Sequence, residues 1–306
     1  MKNQDKLVKP FLKWAGGKTK ILNQICDRFP QELINGQINK YIEGFVGGGA
    51  VFLYIAQHYD IQKFLLYDVN PELVLAYQTI KINVDDLIDI LDKLETKYLR
   101  FNDIEKTQYF YKIRDKFNQE KQIINYKNYD KQWLIRTAEL IFLNKTCFNG
   151  LFRVNRKGLF NVPFGKHKNP HIFDQSNLIN LSKILQKTDI RQGDFQDCKK
   201  EVNEQTFVYF DPPYRPLNKT SNFNSYNNNN FDDNEQLRLA QFFKILDKKG
   251  AKLMLSNSDP TNEDMLDQFF DEAYSNYNIK RIKAPRFINS KAEKRGEINE
   301  ILITNY

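Results

Sequence analysis

Nearly continuous apolar runs alternate with amphipathic stretches at both ends of the chain, and a longer, wholly amphipathic zone lies between them. At the two ends, Lys40–Glu43, Lys63–Tyr67, Thr188–Arg191, Thr206–Phe210, Ala251–Leu255 and Ile298–Thr304 read as strands. Runs without a polar face suit a parallel sheet covered on both sides. Their alternation with helical stretches predicts a doubly wound α/β domain. From Pro71 to about Asn149 the pattern turns helical: Leu87, Ile88, Leu91, Leu94 and Tyr98 recur at spacings of three and four. Asp103–Phe117 and Lys131–Phe142 read as further helices, the first with Asp103 as its N-cap. Leu151–Val162 then places large residues on either side of the polar stretch Asn155–Gly158, a hairpin pattern. The expected organisation is therefore an α/β domain made of residues 1–70 and 188–306, interrupted at 71–187 by a mainly helical domain that carries a β-hairpin. Arg215–Asp233, with its run Asn227–Asn230, predicts a mobile loop.

Composition narrows the class. With 41% hydrophobic and 27% charged residues in 306, the chain is too apolar for a disordered protein. No apolar run approaches the ~18 residues of a membrane span, and the first residues lack a secretory signal, so a cytoplasmic location is expected. Cys26, Cys147 and Cys198 form no CxxC pair, which argues against both a disulfide framework and a zinc knuckle. A net charge of +8 and a pI of 9.1 favour a polyanionic partner, nucleic acid first. A composition rich in Lys and Asn would leave the same excess on an ordinary solvated surface. The histidines (His58, His167 and His171) make no ligand pattern, so no metal is expected.

Asp211-Pro212-Pro213-Tyr214, directly after the strand Thr206–Phe210, carries the sharpest chemistry. An exocyclic amine conjugated to a purine ring is a poor nucleophile because its lone pair is delocalised. The Asp211 carboxylate and the Pro212 carbonyl, stiffened by the proline pair, can accept its two N–H bonds. The nitrogen can then pyramidalise and attack a methyl group in line, with Tyr214 stacked on the base. Such acceptors stabilise the transition state because they are fixed beforehand.

Three other segments point to a nucleoside. The turn Gly44-Phe45-Val46-Gly47-Gly48-Gly49 follows the first strand and Glu43, and Asp68 ends the second strand, where it can hold ribose hydroxyls. The fingerprint G-x-G-x-x-G is incomplete, since its last position is Phe52; this disfavours a dinucleotide and leaves Phe45 to line a cationic sulfonium ligand. Gly17-Lys18-Thr19 lacks the earlier glycine of a P-loop, so Trp14 and Lys18 read as a strap, the Trp packing on the ligand and the Lys pairing with its carboxylate. Asp194 and Phe195, after the third strand, suit an adenine amino group and ring, and suit an ordinary surface turn equally well.

These residues together resemble the Dam-like DNA N6-adenine methyltransferases, including the DpnII-type modification enzymes. The likeness runs from Phe11-Leu-Lys-Trp-Ala-Gly-Gly-Lys18 through the glycine turn and Asp211–Tyr214 to Asn299–Tyr306. The order of segments is similar to the alpha group of such enzymes, which implies S-adenosylmethionine as cofactor and a Rossmann-like sheet whose last strand is antiparallel. It also implies double-stranded DNA as partner, with a cognate restriction endonuclease sharing the site as a further expectation. The resemblance puts the cofactor on Trp14, Lys18, Asp68 and Asp211, with Glu43, Phe45, Asp194 and Phe195 as further contacts. Cys147–Arg153 and Phe160–Lys166 resemble the family's GATC-reading hairpin, which implies DNA contacts at Asn149, Leu151, Arg153 and Pro163, with Lys13 near the first guanine. Arg153 has the fork for a guanine edge, while Leu151 and Pro163 can meet a thymine methyl. Gly44 stands where the family commonly has Pro, and Phe148 where Tyr is expected. The expected function is methylation of adenine N6, in GATC, with base flipping. The competing readings are an RNA or cytosine-N4 methyltransferase and a noncatalytic nucleic-acid-binding protein.

Overall fold

The computed structural model describes residues 7–215, 231–285 and 297–306; the Asn-rich stretch with Phe223 and Tyr226 lies outside them. Seven strands, β1 (Lys40–Glu43), β2 (Lys63–Asp68), β3 (Thr188–Gln192), β4 (Thr206–Phe210), β5 (Lys252–Ser258), β6 (Asn278–Pro285) and β7 (Glu297–Thr304), form one sheet in the order β3-β2-β1-β4-β5-β7-β6. β1 to β5 pair in parallel, and β7 enters antiparallel between β5 and β6. This is a Rossmann-like sheet with one antiparallel strand inserted near its edge.

The strands of the sequence pattern are present, and β6 is one that the pattern misses. Its buried residues, Ile282 and Ala284, alternate with exposed Lys280, Arg281 and Lys283, so it lacks the continuous apolar run of its neighbours. It is an edge strand, and charged side chains there hinder pairing with another chain.

Alternate strand residues enter two separate cores. Tyr41, Phe64, Leu66, Phe207 and Tyr209 face one side, and Ile42, Leu65, Tyr67, Val208 and Phe210 the other. Ten helices are described: α1 (Leu22–Cys26), α2 (Gln31–Ile34), α3 (Ala50–His58), α4 (Pro71–Ile82), α5 (Val84–Leu99), α6 (Asp103–Glu120), α7 (Gln132–Thr146), α8 (Gln175–Leu185), α9 (Asp233–Asp247) and α10 (Phe269–Ala273). The first core continues without a break from the sheet through α3 and α4 into α5, α6, α7 and α8, while α9 and α10 cover the second. Although α4 and α8 belong by sequence to residues 71–187, they pack on β2 and β3 and so complete the sheet's covering layer.

Local chemistry sets the helix starts. Asn70 caps α4 by accepting from the Glu72 N–H, with Pro71 in the first turn, where its missing donor is not needed. The N-cap of α6 is Asn102 rather than the expected Asp103. Asn102 has extended backbone and accepts from the Ile104 and Glu105 N–H groups, while Glu105 bonds back to the Asn102 N–H. Asp103 falls in the first turn, where a negative charge faces the positive end of the helix. Further along, the Arg136 guanidinium on α7 forks onto Glu72 of α4, which also accepts from the Tyr126 hydroxyl at 2.6 Å. Removing one partner of such a buried pair costs ~3–5 kcal/mol, so this cluster ties α7 to α4, the helix that covers β2 and β3.

Candidate active site

Strands β1 and β4 lie side by side at the middle of the sheet, and the chain leaves them toward opposite edges. The crevice beyond the carboxyl ends of such strands is where open α/β sheets bind ligands. Glu43 stands at the end of β1 and Asp211 just past the end of β4.

Two side chains pin the Asp211 carboxylate, both through Oδ1: Lys18 Nζ at 2.6 Å and Ser256 Oγ at 3.1 Å. Ser256 in turn meets the Tyr209 hydroxyl at 2.8 Å. Burial raises the Asp211 pKa, opposed by Lys18 and then Ser256. Lys18 is itself buried, donates to the Gly16 carbonyl at 2.7 Å and lies 4.6 Å from the Tyr214 ring centre. The ammonium thus points at the Asp-Pro-Pro-Tyr turn, where the sequence reading aims it at a ligand carboxylate.

The backbone of the turn is held as firmly. Gln236 on α9 donates to the Pro213 carbonyl at 3.0 Å and accepts from Asn257 at 3.1 Å; Asn257 accepts from the Arg215 N–H at 3.3 Å. Gln236, Ser256 and Asn257 are all buried. The Arg215 guanidinium forks onto Asp233 at 2.7 and 3.0 Å. Oδ1 and the Pro213 carbonyl are engaged, whereas among the described residues no hydrogen bond engages Asp211 Oδ2 or the Pro212 carbonyl. Sequence reasoning missed Gln236, Ser256 and Asn257. One signal was available: the apolar run of β5 ends in Ser256-Asn257-Ser258, a polar trio at the carboxyl end of a central strand.

On the other side of the crevice, Glu43 is buried and accepts from the Tyr41 hydroxyl at 2.9 Å; burial pushes its pKa well up, and the nearby Asp211 adds to this. Asp68 braces the glycine turn, accepting from the Gly47 N–H at 3.1 Å and the Asn70 N–H at 2.9 Å. Each of its oxygens keeps a second lone pair. Burial raises the Asp68 pKa as well. Gly47 has φ of 46°, and a Cβ there would fall 2.9 Å from the Trp14 ring, so only glycine suits the turn. Trp14 is wedged between this turn and the hairpin, stacked on Phe152 with centroids 5.4 Å apart. A Cβ at Gly44 would lie 2.9 Å from the Phe210 ring, which takes up the room that a proline there would need.

Asp194 and Phe195, just past β3, are held by contacts from α9. Both Asp194 oxygens accept from Arg238 at 2.8 Å, and one also caps the Gln196 N–H. Burial works against its ionisation, yet the Arg238 hydrogen bonds outweigh it and hold the pKa below the usual carboxylate value. Phe195 is buried among Phe45, Phe210 and Phe242, with the Arg238 guanidinium 4.2 Å above its ring. Phe45, half-buried, lies at the outer side of this aromatic group.

The hairpin is a short ladder: Cys147 bridges Phe164 and Val154 bridges Phe160, both antiparallel. Asn155 closes its turn by accepting from the Lys157 and Leu159 N–H groups. Arg153 donates to Asn161 through Nε at 2.7 Å and through Nη2 at 3.2 Å. Asn149, at φ of 58°, and Pro163 are exposed, and Leu151 is half-buried against the core. Buried Asn144 joins the strap to the hairpin: it accepts from the Lys13 N–H at 2.9 Å and donates at 3.0 Å to the carbonyls of Lys13 and Gly150. Beside them Lys13, Lys145, His167, Lys168 and His171 line an open cleft. Burial, followed by the nearby Lys13 charge, lowers the Lys145 pKa.

Comparison with known proteins supplies the family. Residues 14–288 match the model of the D12 class N6 adenine-specific DNA methyltransferases. Type II methyltransferase M.MjaIII of Methanocaldococcus jannaschii is 51% identical over 98% of this chain and 99% of its own. Type II methyltransferase M1.LlaDCHI of Lactococcus lactis subsp. cremoris is 38% identical (98% and 96%), and the DNA adenine methylase of Haemophilus influenzae 33% (96% and 92%). The chain belongs to the D12 class, and its enzymatic activity is adenine-specific DNA methylation.

Proposed function

We propose that this D12-class enzyme methylates N6 of the adenine in GATC, on a base flipped out of duplex DNA, with S-adenosylmethionine as donor. The observation that carries the reading is the Asp211 carboxylate, pinned through one oxygen by Lys18 and Ser256 at the open end of β4. The crevice suits a cationic nucleoside: Glu43, Asp68 and Asp211 bring three carboxylates to it, and Lys18 one ammonium. When bound, such a donor supplies an electrophilic methyl carbon on a sulfonium. Glu43, Phe45 and Asp68 are the residues that would hold it.

The chain's own groups do the rest. Asp211 Oδ2 and the Pro212 carbonyl accept the two N–H bonds of the amine and free its lone pair. Tyr214 offers the base a stacking face. After transfer the nitrogen loses a proton, and Asp211, its pKa raised by burial, is suited to take it. A paired adenine cannot reach this turn, so it must leave the stack, at a cost of about a few kcal/mol. Arg153, Asn149, Leu151, Pro163 and Lys13 lie on the surface assigned to reading the site. Lys145, Lys168 and their neighbours supply sequence-independent attraction that falls with salt.

The type II names of two relatives support a partner endonuclease directed at the same unmethylated site. No helix among the described residues is long and apolar enough to cross a membrane. The test is incubation with tritiated donor and duplexes carrying GATC or single-base variants, followed by nucleoside analysis. N6-methyladenine in GATC duplexes alone is expected. Equal incorporation into every variant would remove the specificity, and label on cytosine would remove the reaction.

A further inference from the structure

The ring of Tyr214 has an anchor outside its own motif. Its hydroxyl donates to Oε2 of Glu300, 86 residues further along the chain. Glu300 lies near the start of β7, opposite Ser258 at the carboxyl end of β5. An early residue reaches the crevice end only because β7 is antiparallel; in a parallel strand it would sit at the far edge of the sheet. Burial raises the Glu300 pKa, with Asp211 adding to the rise and Lys18 and the Tyr214 hydroxyl opposing it. Lys18 meets the face of the same ring. The ring is therefore held at its hydroxyl end and on one face before any base arrives.

We infer that Glu300 is a positioning residue for methyl transfer, fixing the plane of Tyr214 on which the flipped base stacks. The inference rests on the proposed reaction for what the ring does, though not for the contact itself. Fixing the side chain on folding removes an ordering step from binding. The hydrogen bond to an acceptor oxygen does this work, and the charge of the carboxylate is not required.

Four variants of the full chain test it: Glu300→Ala, Glu300→Gln, Tyr214→Phe and the double Glu300→Ala/Tyr214→Phe. Single-turnover methylation should fall about tenfold in Glu300→Ala and in Tyr214→Phe, and no further in the double, since each removes the same contact. Glu300→Gln, whose amide oxygen still accepts, should stay within about twofold of wild type, and donor affinity should be unchanged in all four. Losses that multiply in the double, or a Glu300→Gln variant as slow as Glu300→Ala, would overturn the inference. A denaturant-unfolding cycle on the same proteins reads the contact with no substrate present. Coupling between the two positions is expected there, and additivity would overturn the inference as well. A wild-type enzyme that labels no duplex adenine would instead overturn the proposed reaction and leave the cycle to judge the contact.

Discussion

The Asp-Pro-Pro-Tyr turn and the hairpin are both irregular segments rich in polar groups and anchored by distant elements, yet they differ in how much of each is left to solvent. Residues 211–215 are clamped by buried side chains from distant elements: Lys18 of the strap, Ser256 and Asn257 of β5, Gln236 of α9. The hairpin at 147–166 has two isolated bridges, the Asn155 turn and the Arg153–Asn161 pair of its own, and is docked from behind by Asn118 on the Phe160 backbone, Lys121 on the Gly158 carbonyl and Asn144 on that of Gly150. Its outer residues, Asn149 and Pro163 among them, face solvent. A group that must stabilise a transition state gains from rigidity. A surface that reads base edges needs access to them, and polar contacts within the protein can be exchanged for contacts with DNA at modest cost.

The largest effect that would sharpen this contrast is on Asp211. Asp211→Asn keeps an oxygen for Lys18 while removing the carboxylate, and should slow methylation at saturating donor by about 10²–10³-fold with DNA affinity retained, measured by single-turnover kinetics and titration. Next comes Gln236→Ala, which frees the Pro213 carbonyl. It should lower kcat by roughly tenfold or more while leaving the ranking of GATC over its variants intact. A changed ranking would break the separation between the two regions.

Arg153→Ala should do the reverse: discrimination at one base pair weakens by about 1–3 kcal/mol while kcat at saturating DNA holds. A smaller effect concerns pH. Asp211 must be ionised to accept the amine protons, and burial raises its pKa, so activity should fall as the pH drops through that raised value. Lys18→Met removes the main opposing charge, so the acid limb of the rate profile should move to higher pH; a shift to lower pH would contradict the assignment. Smallest of all, Lys145→Ala should weaken binding to all duplexes alike and reduce the salt slope by about one.

Much of the fold was legible because its signals are local. The apolar runs that mark β1 to β5 and β7, the glycine turn and the Asp-Pro-Pro-Tyr segment each lie within a few consecutive residues. β6 escaped because an edge strand between charged side chains has no such run. The α6 cap was displaced by one residue because Asn and Asp cap comparably and only the backbone chooses between them. Asp194 and Lys18 have their partners, Arg238 and Asp211, far away in sequence, and no spacing rule connects them.

By itself, then, the order of residues determined which chemistry is available: a carboxylate, a rigid carbonyl and an aromatic ring after a buried strand. Periodicity and turn residues act over a few positions, so a linear reading suffices for them. Only the tertiary structure decided which oxygen of Asp211 is tied down, which buried amides hold the turn, and that an antiparallel strand brings Glu300 to Tyr214. Those contacts depend on strand order and direction across the sheet, which arise from packing the whole chain at once.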